Sequence, residues 1–285
     1  MNANRENIHR VARNIPPLGA LTVSNKSSIV SNIETDESGI GAIRKDFTQD
    51  IWEAGIELQL NNLTTIAPFQ SSKPVVDTLS RSGHKTLIVP TQPYNTTTEP
   101  VGSTEWLKRT SNWKDATQAE TPPLCCADGP VENRNMTGTP LPHEPRGSGR
   151  GSDTVIWFTP QDYIKISSLP GGRPDEVLLP EMVHALRMEM GLNLCLAMDD
   201  GFDTVEEFYA ILIANTYRSE CGYRDLRANH NGKQMLAAPL TDDSRFYKHW
   251  KDKIDRLCRE MSAFCNALAA VPCAFNPIRR LKAAK

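Results

Sequence analysis

The sequence predicts a mixed α+β fold, from two kinds of segment lying side by side. Lys85-Thr86-Leu87-Ile88-Val89 and Thr154-Val155-Ile156-Trp157-Phe158 are short β-branched and aromatic runs, stopped by Pro90 and Pro160. Longer apolar stretches of helical period cover roughly 175–191, 205–219 and 243–270. A small sheet beside several helices satisfies both.

Taken in chain order, residues 1–40 are polar and without sustained period, and are expected to form a disordered leader. Residues 41–285 are expected to form the folded domain. From Ile43 to Leu63, apolar residues at 43, 47, 51, 54 and 58 make a helical stripe, and 75–79 reads as a short helix ending before Ser82-Gly83. The period then dissolves over 91–146, a Pro- and Thr-rich insertion with a short element expected around Trp106 and Trp113. The turn Gly147 to Asp153 leads into the second strand. Asp175-Glu176 after Pro174 looks like a helix first turn, and Gly191 like its C-cap. Gly222 closes the next helix, and 243–270 reads as one long amphipathic helix.

Composition excludes several classes. The formal net charge is −2, so no global field favours nucleic acid, and Arg279-Arg280-Leu281-Lys282 is a short basic tail. No apolar run approaches the ~18 residues of a membrane span, and residues 1–20 lack the h-region of a Sec-type signal. The 7 cysteines are odd in number and show no C-x-x-C spacing. Reduced thiols are expected, with Cys258 and Cys265 packing as small apolar groups.

Chemistry concentrates in Val177-Leu178-Leu179-Pro180-Glu181-Met182-Val183-His184-Ala185-Leu186-Arg187. In H-E-x-x-H, two histidines one helical turn apart bind Zn²⁺ and the glutamate between them is the general base. Here Glu181 and His184 stand in the second and fifth places, and Pro180 occupies the first. Downstream, Glu206-Glu207-Phe208-Tyr209-Ala210 puts two acids in a helix first turn. Leu226-Arg227-Ala228-Asn229-His230-Asn231-Gly232 then places a histidine in a loop.

Together these segments resemble the type III secreted effector zinc metallopeptidases of the NleD kind. The likeness covers about 75–90 and 147–240. The resemblance implies a zincin-like core with the small sheet packed on the motif helix and the long C-terminal helix across it. It implies zinc as cofactor, with His184 and Glu207 as ligands (Glu206 the other option) and Glu181 as general base. It further implies His230 as the oxyanion's hydrogen-bond donor, with Tyr217 assisting. A host protein is the expected substrate, and the host cell cytosol the expected destination after secretion.

Pro180 departs from that pattern. Proline offers a metal no donor atom, so a site with one His and one Glu falls short of the three protein ligands usual for catalytic zinc. His143, beside Glu144, is the replacement weighed from sequence, and a catalytically dead host-protein-binding module is the alternative function. Proline within a helix also loses one hydrogen bond and crowds the preceding turn. Either the helix starts at Pro180, or it starts at Pro174 and kinks at Pro180; the first turn at Asp175-Glu176 favours the second.

Overall fold

The computed structural model describes residues 33–35, 47–64, 70–91, 96–100, 149, 151–194, 196–198, 201–230 and 243–280. Strand β1 (Ile33–Thr35) is followed by helices α1 (Gln49–Thr64) and α2 (Lys73–Leu79). Next come β2 (Thr86–Val89), β3 (Thr97–Pro100) and β4 (Thr154–Trp157). A 3-10 helix (Pro160–Ile166) leads to α3 (Pro174–Glu189). The two-residue strands β5 (Ala197–Met198) and β6 (Asp203–Thr204) precede α4 (Val205–Glu220). The rest is α5 (Asp243–His249), α6 (Lys251–Glu260), α7 (Ser262–Ala269) and a closing 3-10 turn, Pro277–Arg279.

The main sheet has the order β1-β2-β4-β3. β1, β2 and β4 run parallel, with Leu87 opposite Val155 and Ile88 opposite Ile156. β4 is buried at every position, as a central parallel strand covered on both faces requires. β3 runs antiparallel to β4, Thr98 opposite Ile156, at the sheet's edge. Its sequence, Thr-Thr-Glu-Pro, carries no alternating apolar signal, and its proline sits at the strand end where a missing N–H is tolerated.

Three expectations change here. The 1–40 leader contains β1, whose three residues gain order by adding a parallel edge to β2. The insertion 91–146 contains β3, which is ordered by pairing with β4 although its own sequence is polar. The single helix over 243–270 is three helices, broken at Trp250 and Met261, whose backbones leave helical geometry. Trp250 there packs against Phe202, Phe208 and Phe246, and Met261 lends its sulfur to Arg187 Nη1 at 3.6 Å. The apolar stripe continues through both breaks, so periodicity alone reads as one helix. Trp106, Trp113 and His143 lie outside the described residues.

α3 begins at Pro174 and runs unbroken through the buried Pro180. A start at Pro180 is therefore excluded. At its far end Gly191, with φ 63°, donates to Met188 O while Leu192 N–H reaches Arg187 O, a Schellman pair that only a left-handed residue closes cheaply. Gly222 ends α4 in the same way, through Ser219 O and Arg218 O.

α3 packs against both α4 and α1, around a core that includes Trp52, Leu60, Leu178, Val183, Phe208 and Ile211. Trp52 Nε1 donates to Phe158 O at 3.0 Å, which fixes α1 to the end of β4. Cys258 and Cys265 are free and buried in this core.

Candidate active site

The inner face of α3 turns Glu181 and His184 toward the first turn of α4. The sequence Thr204-Val205-Glu206-Glu207 has the pattern of a capping box. Only half of the box forms. Thr204 Oγ1 accepts from Glu207 N–H at 3.2 Å, while Thr204 N–H donates to Phe202 O at 2.6 Å. The Glu207 carboxylate thus faces the site instead. Its Oε1 lies 3.3 Å from His184 Nε2 and its Oε2 lies 3.4 Å from His230 Nε2. The other nitrogen of His230, Nδ1, lies 2.6 Å from Asp203 Oδ2.

Glu181 borders this group from the sheet side. Thr98 Oγ1, on edge strand β3, lies 2.7 Å from Glu181 Oε2 and 3.1 Å from its backbone oxygen. The cluster deepens toward α3: the His184 side chain is 10% exposed and that of His230 is 38% exposed.

The electrostatics follow from this arrangement. Burial alone pushes His184 down, but the Glu207 carboxylate overrides it and holds the imidazole at about 9. Burial likewise opposes ionisation of Glu207, yet His184 and then His230 pull it down to about 2. Burial lifts Glu181 above the usual carboxylate range; Glu207 adds to the rise, while His184, Thr98 and His230 oppose it. Arg227 also belongs to the site. Burial lowers its pKa although Glu207 and Glu181 face it, and its buried Nε has no hydrogen-bond partner among the described residues. Its Nη2 donates to His230 O at 2.7 Å, and its backbone is clamped by both amide atoms of Asn215 at 2.9 Å. The Leu-Arg-Ala-x-His string marks the position, but nothing in the sequence separates this arginine from a surface one.

Glu206 and Tyr217 lie elsewhere. Glu206 accepts from the fully buried Arg187 Nε at 2.6 Å and from Leu194 N–H at 2.6 Å, so its carboxylate is structural. Tyr217 donates its hydroxyl to Asp175 Oδ2 at 2.7 Å, in a buried network with Arg173 near the start of α3.

The donor set is two imidazoles and one carboxylate, which is chemistry suited to zinc. As the side chains stand, no three His, Cys, Asp or Glu groups among the described residues form a ready-made metal cage. Glu207 instead occupies the ground between the two rings and pairs with each. No protein-family model matches the chain, and no curated protein and no solved structure matches it either.

Proposed function

We propose that this chain is a secreted bacterial effector with a zincin-like metallopeptidase core, which cuts a host protein using Glu181, His184 and Glu207. The observation that carries the reading is the convergence of His184 and Glu207 to 3.3 Å across two helices, with Glu181 one turn before His184 at the same group. Three residues matching a peptidase motif point at one spot, although they come from two separate helices.

His184 and Glu207 are the residues that would hold zinc. When bound, zinc supplies a Lewis acid that polarises the scissile carbonyl and acidifies water. Glu181 is the proton carrier: its carboxylate takes a proton from the attacking water and returns it to the leaving amine. Burial lifts its pKa toward neutrality, where a general base works best. Arg227, whose Nε has no partner among the described residues, is the cation disposed to meet the developing oxyanion. His230 suits that task less, since both of its ring nitrogens already face carboxylates.

A protein substrate is also supported by β3. It has β4 on one side and, among the described residues, no strand on the other. An extended peptide added along such an edge would lie beside Glu181, which Thr98 of the same strand contacts.

The competing reading is a catalytically dead module that sequesters a host protein, and Pro180 favours it. The test is to incubate the purified full chain with eukaryotic cell extract and map new protein termini by mass spectrometry. Cleavage abolished by chelator and by Glu181→Gln is the expected result. Cleavage that survives Glu181→Gln overturns the assignment of the base; no cleavage at all, with intact fold, favours the sequestering module.

A further inference from the structure

We infer that His230 supplies the third protein ligand that Pro180 withholds, giving a metal centre of His184, Glu207 and His230, with Asp203 behind His230. This rests on the peptidase reading above but assigns the metal a ligand set different from that of the motif.

Distance is the first argument. Four ligands at zinc bonds of ~2.0–2.2 Å stand about 3.3–3.5 Å from one another around a tetrahedron. Glu207 already lies 3.3 Å from His184 Nε2 and 3.4 Å from His230 Nε2. The two distances run from the two oxygens of one carboxylate, Oε1 to His184 and Oε2 to His230, so Glu207 faces both rings at once. To admit the ion, the carboxylate must give up its place between the rings, where it now neutralises both.

The second argument is how His230 is held. A metal-binding imidazole commonly gives its other N–H to a carboxylate, which fixes the ring and leaves a lone pair for the metal. His230 Nδ1 is set against Asp203 Oδ2 at 2.6 Å, which leaves Nε2 toward Glu207. Asp203 is the one non-glycine residue with positive φ among those described, at 60°. Aspartate is among the few residues with a Cβ that tolerate this region, and the conformation belongs to the tight β5–β6 hairpin that sets Asp203 beside His230.

Placement is the third. His230 N–H donates to Gly201 O at 2.8 Å, and Arg227 Nη2 grips His230 O. The loop thus seats His230 against the β5–β6 hairpin that carries Asp203. Asp203 and His230 are 36% and 38% exposed, so the remaining coordination position opens on the solvent side, where a substrate arrives. No flexible or distant histidine is needed.

The test uses Co²⁺, whose visible absorption reports four-coordinate binding independently of activity, on the full chain and its variants. The expected results are one Co²⁺ per wild-type chain and at least ~100-fold weaker binding by His230→Ala. Asp203→Asn, a change behind the ligand, should weaken binding about 10–100-fold. Adding Pro180→His to His230→Ala should restore binding, which also establishes that the variant folds. Tight binding by His230→Ala alone overturns the inference. If wild type fails to bind while Pro180→His alone binds, this inference falls and the peptidase ancestry of the site stands. If neither binds, both fall.

Discussion

Arg187 and Glu206 form a fully buried ion pair at 2.6 Å, and each lies beside a residue of the site. Arg187 follows His184 by less than one turn of α3, and Glu206 immediately precedes Glu207 on α4. The guanidinium is further tied to Leu192 O at 2.7 Å, to Glu260 at 3.0 Å and to the face of Tyr209. This pair sets the register in which the two helices meet, and so sets the distance between His184 and Glu207.

The two adjacent acids should therefore behave differently on substitution. Glu206→Ala leaves the buried Arg187 guanidinium with Glu260 as its remaining carboxylate and strands Leu194 N–H, so a loss of about 3 kcal/mol is expected in urea unfolding. Glu207→Ala removes the carboxylate that faces both His184 and His230, but His184 can release its proton, so a smaller loss of about 1–2 kcal/mol is expected. Metal binding should show the opposite order. Equal stability losses in the two variants would refute this division of labour.

Pro180 has a backbone consequence separate from its missing imidazole. Within α3 it has no N–H to give Glu176 O, and an interior proline costs about 3 kcal/mol. Pro180→Ala restores the donor and loses some buried apolar surface, so a net gain of about 1–2 kcal/mol is expected from thermal unfolding. A destabilised variant would mean that the helix has adapted to the proline.

Much of this architecture was legible in the sequence. The strands at 86–89 and 154–157 and the helices at 174–189 and 205–220 lie where β-branched runs and helical period place them. β1 and β3 were not legible, because their order comes from pairing with β2 and β4 rather than from their own residues. Glu181 and His184 stand out by their spacing and Glu207 by the resemblance alone, and the three lie at one group. Choosing between Glu206 and Glu207 needed Arg187, whose approach to the first of them is a tertiary fact. The Asp203–His230 contact was invisible for the same reason, since it spans 27 positions.

Glu189 makes a pH-dependent prediction at the other end of α3. Its carboxylate accepts from Ser82, Thr86 and Thr154 hydroxyls, the last two on neighbouring strands. Burial lifts its pKa above the ordinary 4.5, more than the three hydroxyls lower it. A raised folded-state pKa means its contribution is complete below about 4.5 and is lost as pH rises through the raised value. Unfolding followed from pH 4.5 upward should show a relative loss for the wild type that Glu189→Gln lacks. Glu189→Ala, which strands three hydroxyls, should cost about 2–3 kcal/mol at any pH. Parallel pH profiles for wild type and Glu189→Gln would contradict the assignment.

Thr98→Val tests whether Glu181 is the base. The Thr98 hydroxyl, 2.7 Å from Glu181 Oε2, favours the ionised carboxylate against the burial that raises its pKa. Valine keeps the shape and removes the donor. A hydrogen bond to a charged group is worth about 1.5–3 kcal/mol. The Glu181 pKa should therefore rise further. Because a general base acts when ionised, the acid limb of kcat/KM for peptide cleavage should move to higher pH, with the plateau at alkaline pH largely retained. Global stability should change little, since Thr98 sits at the sheet's edge. An unmoved acid limb would mean that another group takes the proton, and Thr98 would then be a packing residue of β3 alone.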